Sequence, residues 1–365
     1  MKYRFLLQRP SINKLNNIFS RNYFRSTIIP KGIIQHAQKF YLNELKFHIA
    51  CGNLNPSLKE ITQLQFIINQ YFQENIQDSE IKNFKKIFDE FTKKNLINDK
   101  NNLFTVLELI GLDQPSNQSL SQDIFFKILT ISAIMQQSKI RRMILNDYPI
   151  IGFLSDNNRF IPAHCDKIHD DSIPEFVAIV TVNSNSNAFT FFTENYLIYK
   201  NFKLQNPQSF KILQEVLICK NEVNEKGFFT KTKAHKIINY KEDGSIFLHY
   251  NFSSNPYLIS DPRQCKYSQK DVDKAIGDFS VMCLNLSESF KFVCDQKNNV
   301  LLFKNQDVLH GRSEVMQSEV RKMVYLPCES KVEEFTKTEI ITPNPFINNP
   351  KSSAISGVRK FNSKG

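Results

Sequence analysis

The chain has 365 residues, enough for one large domain or for a domain with a helical appendage. Hydrophobic residues make up 41% and charged residues 23%, which excludes a disordered chain, and no stretch approaches the roughly 20 apolar residues that cross a bilayer. The net charge of +11 invites a nucleic-acid reading, but the charge sits at the ends: residues 1–43 hold eight Lys or Arg and no acid, and the tail adds Lys351, Arg359, Lys360 and Lys364. The body between is close to neutral and holds no basic helix, RNA-binding signature or zinc finger, so neither nucleic acid nor a membrane is expected as a partner.

Residues 1–43 form a basic N-terminal segment. Phe5, Leu6, Leu15, Ile18 and Phe19 alternate with Arg4, Arg9, Lys14 and Arg21, the pattern of a mitochondrial presequence cut near Arg25. The alternative is a basic N-terminus on a cytoplasmic protein. The seven cysteines include no C-x-x-C pair and are odd in number, which fits a reducing compartment better than a disulfide framework or zinc site.

Residues 44–150 read as a helical region packing on the core. Ser57 and Glu60 form a capping box ahead of Ile61, Leu64, Ile67, Ile68 and Tyr71 at helical spacing. Ile81, Phe84, Ile87, Phe88 and Phe91 make a second stripe, and Ile124, Ile128, Ile131 and Met135 a third.

The texture changes from about Arg159, and residues 151–335 read as a mainly β domain. Strands are expected at Phe176–Val182, Ala188–Phe192, Gly244–Tyr250, Asn299–Phe303 and Lys322–Leu326, separated by turn residues such as Asp243 and Gly244. That spacing suggests an all-β barrel or sandwich. One helix interrupts it, capped by Ser268 with Asp271 at its third position. Residues 336–365, rich in Pro, Asn, Ser and Lys, read as a loose tail.

Two of the seven histidines stand in unusual company. His164 and Asp166 form an H-x-D pair just ahead of the first buried strand. On extended backbone, residues i and i+2 point the same way about 7 Å apart, so an imidazole and a carboxylate can reach one metal. Cys165 between them turns to the opposite face and belongs in the core. One further histidine completes a two-histidine, one-carboxylate face, the ligand set of non-haem Fe(II) oxygenases. His310, in Leu309-His310-Gly311-Arg312 at the exit of a later strand, is the candidate. An acidic co-substrate chelating that iron needs a cation for its far carboxylate, ideally an arginine fork, and a hydroxyl beside it. Arg321 follows His310 by eleven residues and Thr190 follows His164 by twenty-six.

In this order and spacing, the H-x-D pair, Thr190, the His310-Gly311-Arg312 string and Arg321 resemble the taurine dioxygenase superfamily, including its clavaminate-synthase-like and asparagine-oxygenase-like members. The resemblance covers roughly residues 150–330. It implies a double-stranded β-helix (jelly-roll) core with helical additions, and an enzyme using Fe(II), 2-oxoglutarate and O2. It implies that His164, Asp166 and His310 are the iron ligands and that Thr190 and Arg321 bind 2-oxoglutarate. The implied reaction is hydroxylation of an unactivated C–H of a small molecule, an amino acid or its derivative. Two departures stand out. Tyr325 occupies the place of a second arginine that grips anionic substrates in many members, and Lys304-Asn305 replaces the usual Asp-Asn pair. A non-catalytic jelly-roll protein binding metal or 2-oxoglutarate, and an oxygenase acting on a protein, are the alternatives. His169, Asp170 and Asp171 are expected in a lid loop, Arg312 in a supporting contact, and His249 packed on its strand.

Overall fold

The computed structural model describes residues 24–32, 35, 48–50, 53–55, 70–71, 73–91, 102–111, 140–142, 144–145, 148–149, 153–155, 159–166, 173–223, 229–251, 256–286, 291–294 and 298–330. One compact unit ends at Ser330. In chain order its main elements are β1 (Phe24–Ile28), α1 (Ser79–Asp89), β2 (Phe104–Ile110), β3 (Ile161–His164), β4 (Phe176–Ser184), β5 (Phe189–Glu194), α2 (Asn195–Gln205), α3 (Pro207–Glu215), α4 (Gln269–Asn285), β6 (Lys291–Cys294), β7 (Asn299–Lys304), β8 (Val308–Arg312) and β9 (Arg321–Ser330).

Two sheets dominate. The larger runs β1-β2-β7-β4-β9 and continues through the short strands Phe153–Ser155, Asn53–Asn55 and His48–Ala50, with Ile140–Arg142 also pairing β9. The smaller runs β6-β5-β8-β3. Pairing in both is antiparallel except between β1 and β2.

Side-chain alternation places the layers. On β5, Phe192 packs with Phe104, Val177, Leu301, Phe303 and Met323 of the large sheet, so the even positions of β5 face the space between the sheets. Phe189 and Phe191, at the odd positions, pack instead on Ile198, Phe202, Phe210 and Phe279 of the helices. The order is therefore large sheet, small sheet, helical layer, with apolar cores in both gaps. Each fully buried large side chain contributes about 1.5–3 kcal/mol to holding these layers together. β4 is central and buried on both faces, which is why its sequence is a continuous apolar run and not an alternating one.

The helix expected after Ser268 is α4, with the capping box formed: Ser268 accepts from the Asp271 N–H and the Asp271 carboxylate accepts from the Ser268 N–H. The β-domain carries two further helices that the sequence reading lacked. α2 opens with no side-chain cap and no acid in its first turn, so it gives no start signal, although Asn195, Ile198 and Phe202 line its buried side. α3 starts at Pro207, a residue suited to the first helical position.

The N-terminal expectations also need correction. α1 carries the stripe Ile81 and Phe84, but the region 44–150 is not all helical: β2 lies within it and pairs with both β1 and β7. Its run Phe104-Thr105-Val106-Leu107-Glu108-Leu109 is buried almost throughout, as a covered strand requires. β1 in turn brackets the expected cut near Arg25, pairing Arg25 with Leu107, so a cut there would split a strand of the large sheet. The helices expected over 57–71 and 124–135, the lid residues 169–171 and the tail from 336 lie outside the described residues, apart from a helical turn at Gln70 and Tyr71. Among the described residues no helix is long and apolar enough to cross a membrane.

Candidate metal centre

β8 lies between β5 and β3 in the small sheet, and this adjacency assembles the centre. His310 of β8 stands directly opposite His164 of β3 on one side and Phe192 of β5 on the other. The direct pairing of His310 with His164 sets the two imidazoles side by side, and the β8–β3 register slips just beyond it, so that Arg312 pairs with Ile161. Their ring centroids are 4.3 Å apart. Gly311 is needed at the crossing: a Cβ there would lie 2.3 Å from Phe191 Cζ and 2.6 Å from the Ile161 carbonyl oxygen, so only glycine lets the three strands close.

Asp166 completes the group. His164 Nε2 is 3.3 Å from Asp166 Oδ1 and His310 Nε2 is 3.2 Å from Asp166 Oδ2. One ligand atom from each of the three residues falls within 4.8 Å of the others. His164 Nδ1 sits 2.8 Å from the Pro162 carbonyl oxygen, to which it donates, and this leaves Nε2 as the nitrogen that faces Asp166. His310 is 1% exposed, with the Phe303 ring centred 4.6 Å away. Both of its ring nitrogens, and Asp166 Oδ2, are buried with no hydrogen-bond partner among the described residues. Buried polar atoms left this way are costly unless a further group engages them.

The charge distribution follows the burial. Burial pushes the Asp166 carboxyl up, but the charge on His310 and the close contact from His164 outweigh it and hold the carboxyl well below the usual carboxylate range. Burial pushes His164 down, yet contact with Asp166 wins and its value is raised. Burial keeps His310 lowered despite Asp166. A carboxylate with two imidazole nitrogens on one side is the donor set for a divalent transition ion, and these three residues fit Fe(II).

Thr190 and Arg321 are not within this cluster but lie on strands that bound the same space. Thr190, 2% exposed, pairs with Arg312 on β8, two residues along β5 from the Phe192–His310 pair. That is about 7 Å along the strand and on the same face. Arg321, 4% exposed, opens β9 opposite Ser184. It shares the face of Met323, which packs between the sheets. Tyr325, two residues further on, packs against the same core. Arg312 is buried and donates to the Arg159 carbonyl oxygen, a supporting contact.

Cys165 is fully buried on the opposite face, in the helix-side core. His249 is half-buried against Phe247 and lines, with His235, Lys233, Lys236, Gln306 and Ile173, a recess of about 500 Å³ that none of the three clustered residues touches. The Lys304-Asn305 pair noted in the sequence includes a residue to which no role was assigned there, Asn305. It is fully buried and hydrogen-bonded to both the backbone N–H and the carbonyl of Asp166. Its position five residues before His310 was the signal available.

Solved structures similar to this one are iron- and 2-oxoglutarate-dependent oxygenases. The non-haem iron oxygenase OrfP, solved with Fe, succinate and (3R,4R)-dihydroxy-L-Arg, has 10% identity over 84% of this chain and 94% of that one, with a TM-score of 0.48. Asparagine oxygenase with Fe(II), 2S,3S-3-hydroxyasparagine and succinate has 7% identity over 83% and 93%, with a TM-score of 0.45. PvcB from Pseudomonas aeruginosa has 12% identity over 60% and 74%, with a TM-score of 0.39. No family model and no curated protein matches the sequence.

Proposed function

We propose that this chain is an Fe(II)- and 2-oxoglutarate-dependent dioxygenase that hydroxylates an unactivated C–H of a small molecule, and that the two sheets form a jelly-roll core around its iron. The observation that carries this is the convergence of His164, Asp166 and His310, with Asp166 Oδ2 and His310 Nε2 buried and without a hydrogen-bond partner among the described residues. The iron, when bound, supplies the oxygen activation that no amino-acid side chain provides.

The protein's own groups have defined tasks. His164 and His310 would hold the iron through Nε2 and Asp166 through its carboxylate, a three-residue set that would leave positions for co-substrate and oxygen. The Pro162 carbonyl holds the His164 tautomer. Phe192 and Phe303 wall His310 with apolar rings and keep water from that side. In this reading Arg321 and Thr190 grip the far carboxylate of 2-oxoglutarate, the arginine with its fork and the threonine with its hydroxyl.

An amino acid or amino-acid derivative is the substrate class implied by the resemblance of the H-x-D, His310-Gly311-Arg312 and Arg321 segments. The basic, acid-free residues 1–23 support a mitochondrial address, with any cut falling upstream of β1. The test is succinate release. Purified protein with Fe(II), 2-oxoglutarate, O2 and a panel of amino acids is expected to form succinate with at least one of them, and to lose this with Asp166→Ala. Absence of any 2-oxoglutarate turnover, coupled or uncoupled, contradicts the reading.

A further inference from the structure

We propose that Asn305 is the positioning residue for Asp166, acting as a surrogate strand neighbour that fixes the backbone from which the carboxylate projects. This rests on the metal-site reading above. β3 ends at His164, so Asp166 lies beyond the last ladder pairing and needs another source of order. Its carboxylate lies 3.3 and 3.2 Å from the two imidazoles that share the site, contacts that a bound metal would replace. Order that does not depend on the site's own ligand atoms must therefore come through the backbone.

Asn305 supplies it. The Asp166 N–H donates to Asn305 Oδ1 at 3.0 Å, and Asn305 Nδ2 donates back to the Asp166 carbonyl oxygen at 3.2 Å. This reciprocal pair is the pattern one strand residue offers its neighbour. The second Nδ2 hydrogen goes to the Pro174 carbonyl at 3.0 Å, and the Asn305 backbone N–H donates to the Glu175 carbonyl, also at 3.0 Å. Both amide hydrogens and the amide oxygen are thus engaged, and each atom has a partner of the right sense. Residues 166 and 174, the two stems of the segment that follows the H-x-D pair, are fastened by one fully buried side chain. Aspartate would keep the acceptor and lose both donors, and alanine would lose all three bonds together with the weaker one from Cys165 Sγ to Oδ1 at 3.6 Å. Gln306, the next residue, holds only the far stem, through Nε2 to the Ile173 carbonyl at 3.0 Å. It therefore serves as an internal control.

The experiment uses Co(II) as the probe ion with the full-length protein, reading the dissociation constant by calorimetry, the visible d–d spectrum, and thermal unfolding of the metal-free protein. Asn305→Ala is expected to weaken Co(II) about 10- to 100-fold and to change the d–d spectrum, while Gln306→Ala stays within about threefold of wild type with an unchanged spectrum. If Asn305→Ala does not fold, Asn305→Asp, of equal size, replaces it in the same comparison. Wild-type affinity and spectrum in the Asn305 variant overturn the proposal, as does an equal loss in Gln306→Ala. Wild-type protein that takes up no Co(II) removes the metal reading itself, a result distinct from either.

Discussion

The two faces that β3, β5 and β8 present in the small sheet are built for different tasks. On the helix side, Ala163, Phe189, Phe191 and Leu309 meet Ile198, Phe202 and Phe279 in an apolar core. On the inner side, one residue over in each strand, stand His164, Thr190, His310 and Arg312, polar groups that are buried or nearly so. Burial of this kind is costly, so an inner face that keeps such groups carries a role beyond packing. The outer face anchors the strands, and the inner face uses that rigidity to hold ligands.

Single substitutions on adjacent residues of β8 separate the two faces most sharply. His310→Ala is expected to abolish stoichiometric metal binding and to lower turnover by more than about 1000-fold, while the fold survives. Leu309→Ala, one residue away and fully buried on the outer face, is expected to cost about 2–5 kcal/mol in denaturant unfolding and to leave metal stoichiometry at wild type. A reversed pattern would break the comparison.

Arg321→Ala is expected to raise the KM for 2-oxoglutarate by about 100-fold, the scale of a lost charge-assisted pair, with metal affinity unchanged. Steady-state kinetics with varied 2-oxoglutarate checks this. An unchanged KM would detach Arg321 from the co-substrate. Gly311→Ala tests the contact between the faces. The added Cβ meets Phe191 on the outer side and the Ile161 backbone, so a loss of about 1–3 kcal/mol in stability is expected together with weaker metal binding.

The smallest effect is a proton. The raised value of His164 means its contribution to the metal-free fold is present below the ordinary histidine value of 6.5 and fades as pH rises through the raised value. A metal must displace that proton from Nε2. Below the raised value, metal binding is therefore expected to release protons, and affinity to fall as pH is lowered. Calorimetry in two buffers of different ionisation enthalpy measures the release; no buffer dependence would mean that His164 is already neutral.

Much of the inner face was legible in the sequence. His164, Asp166 and His310 stood out because an H-x-D pair, common by itself, is followed in order by Thr190, a His-Gly-Arg string and Arg321, and the structure brings the three ligand candidates together. The strands β4, β5, β7 and β9 announced themselves as apolar runs. What failed was context. β2 looked like part of a helical region because a doubly covered strand has no alternation to read, and its partners β1 and β7 are distant in sequence. α2 gave no capping signal. Asn305 was legible only as a member of the Lys304-Asn305 pair; its hydrogen bonds to the backbone of Asp166, 139 positions earlier, are encoded by no local pattern.

The most direct test of the central claim is anaerobic titration of the metal-free protein with Fe(II), followed by 2-oxoglutarate. One Fe(II) per chain in wild type, tighter in the presence of 2-oxoglutarate and lost in His164→Ala, Asp166→Ala and His310→Ala alike, is the predicted result. Iron binding that is absent from wild type, or that persists when all three variants are tested, would contradict it.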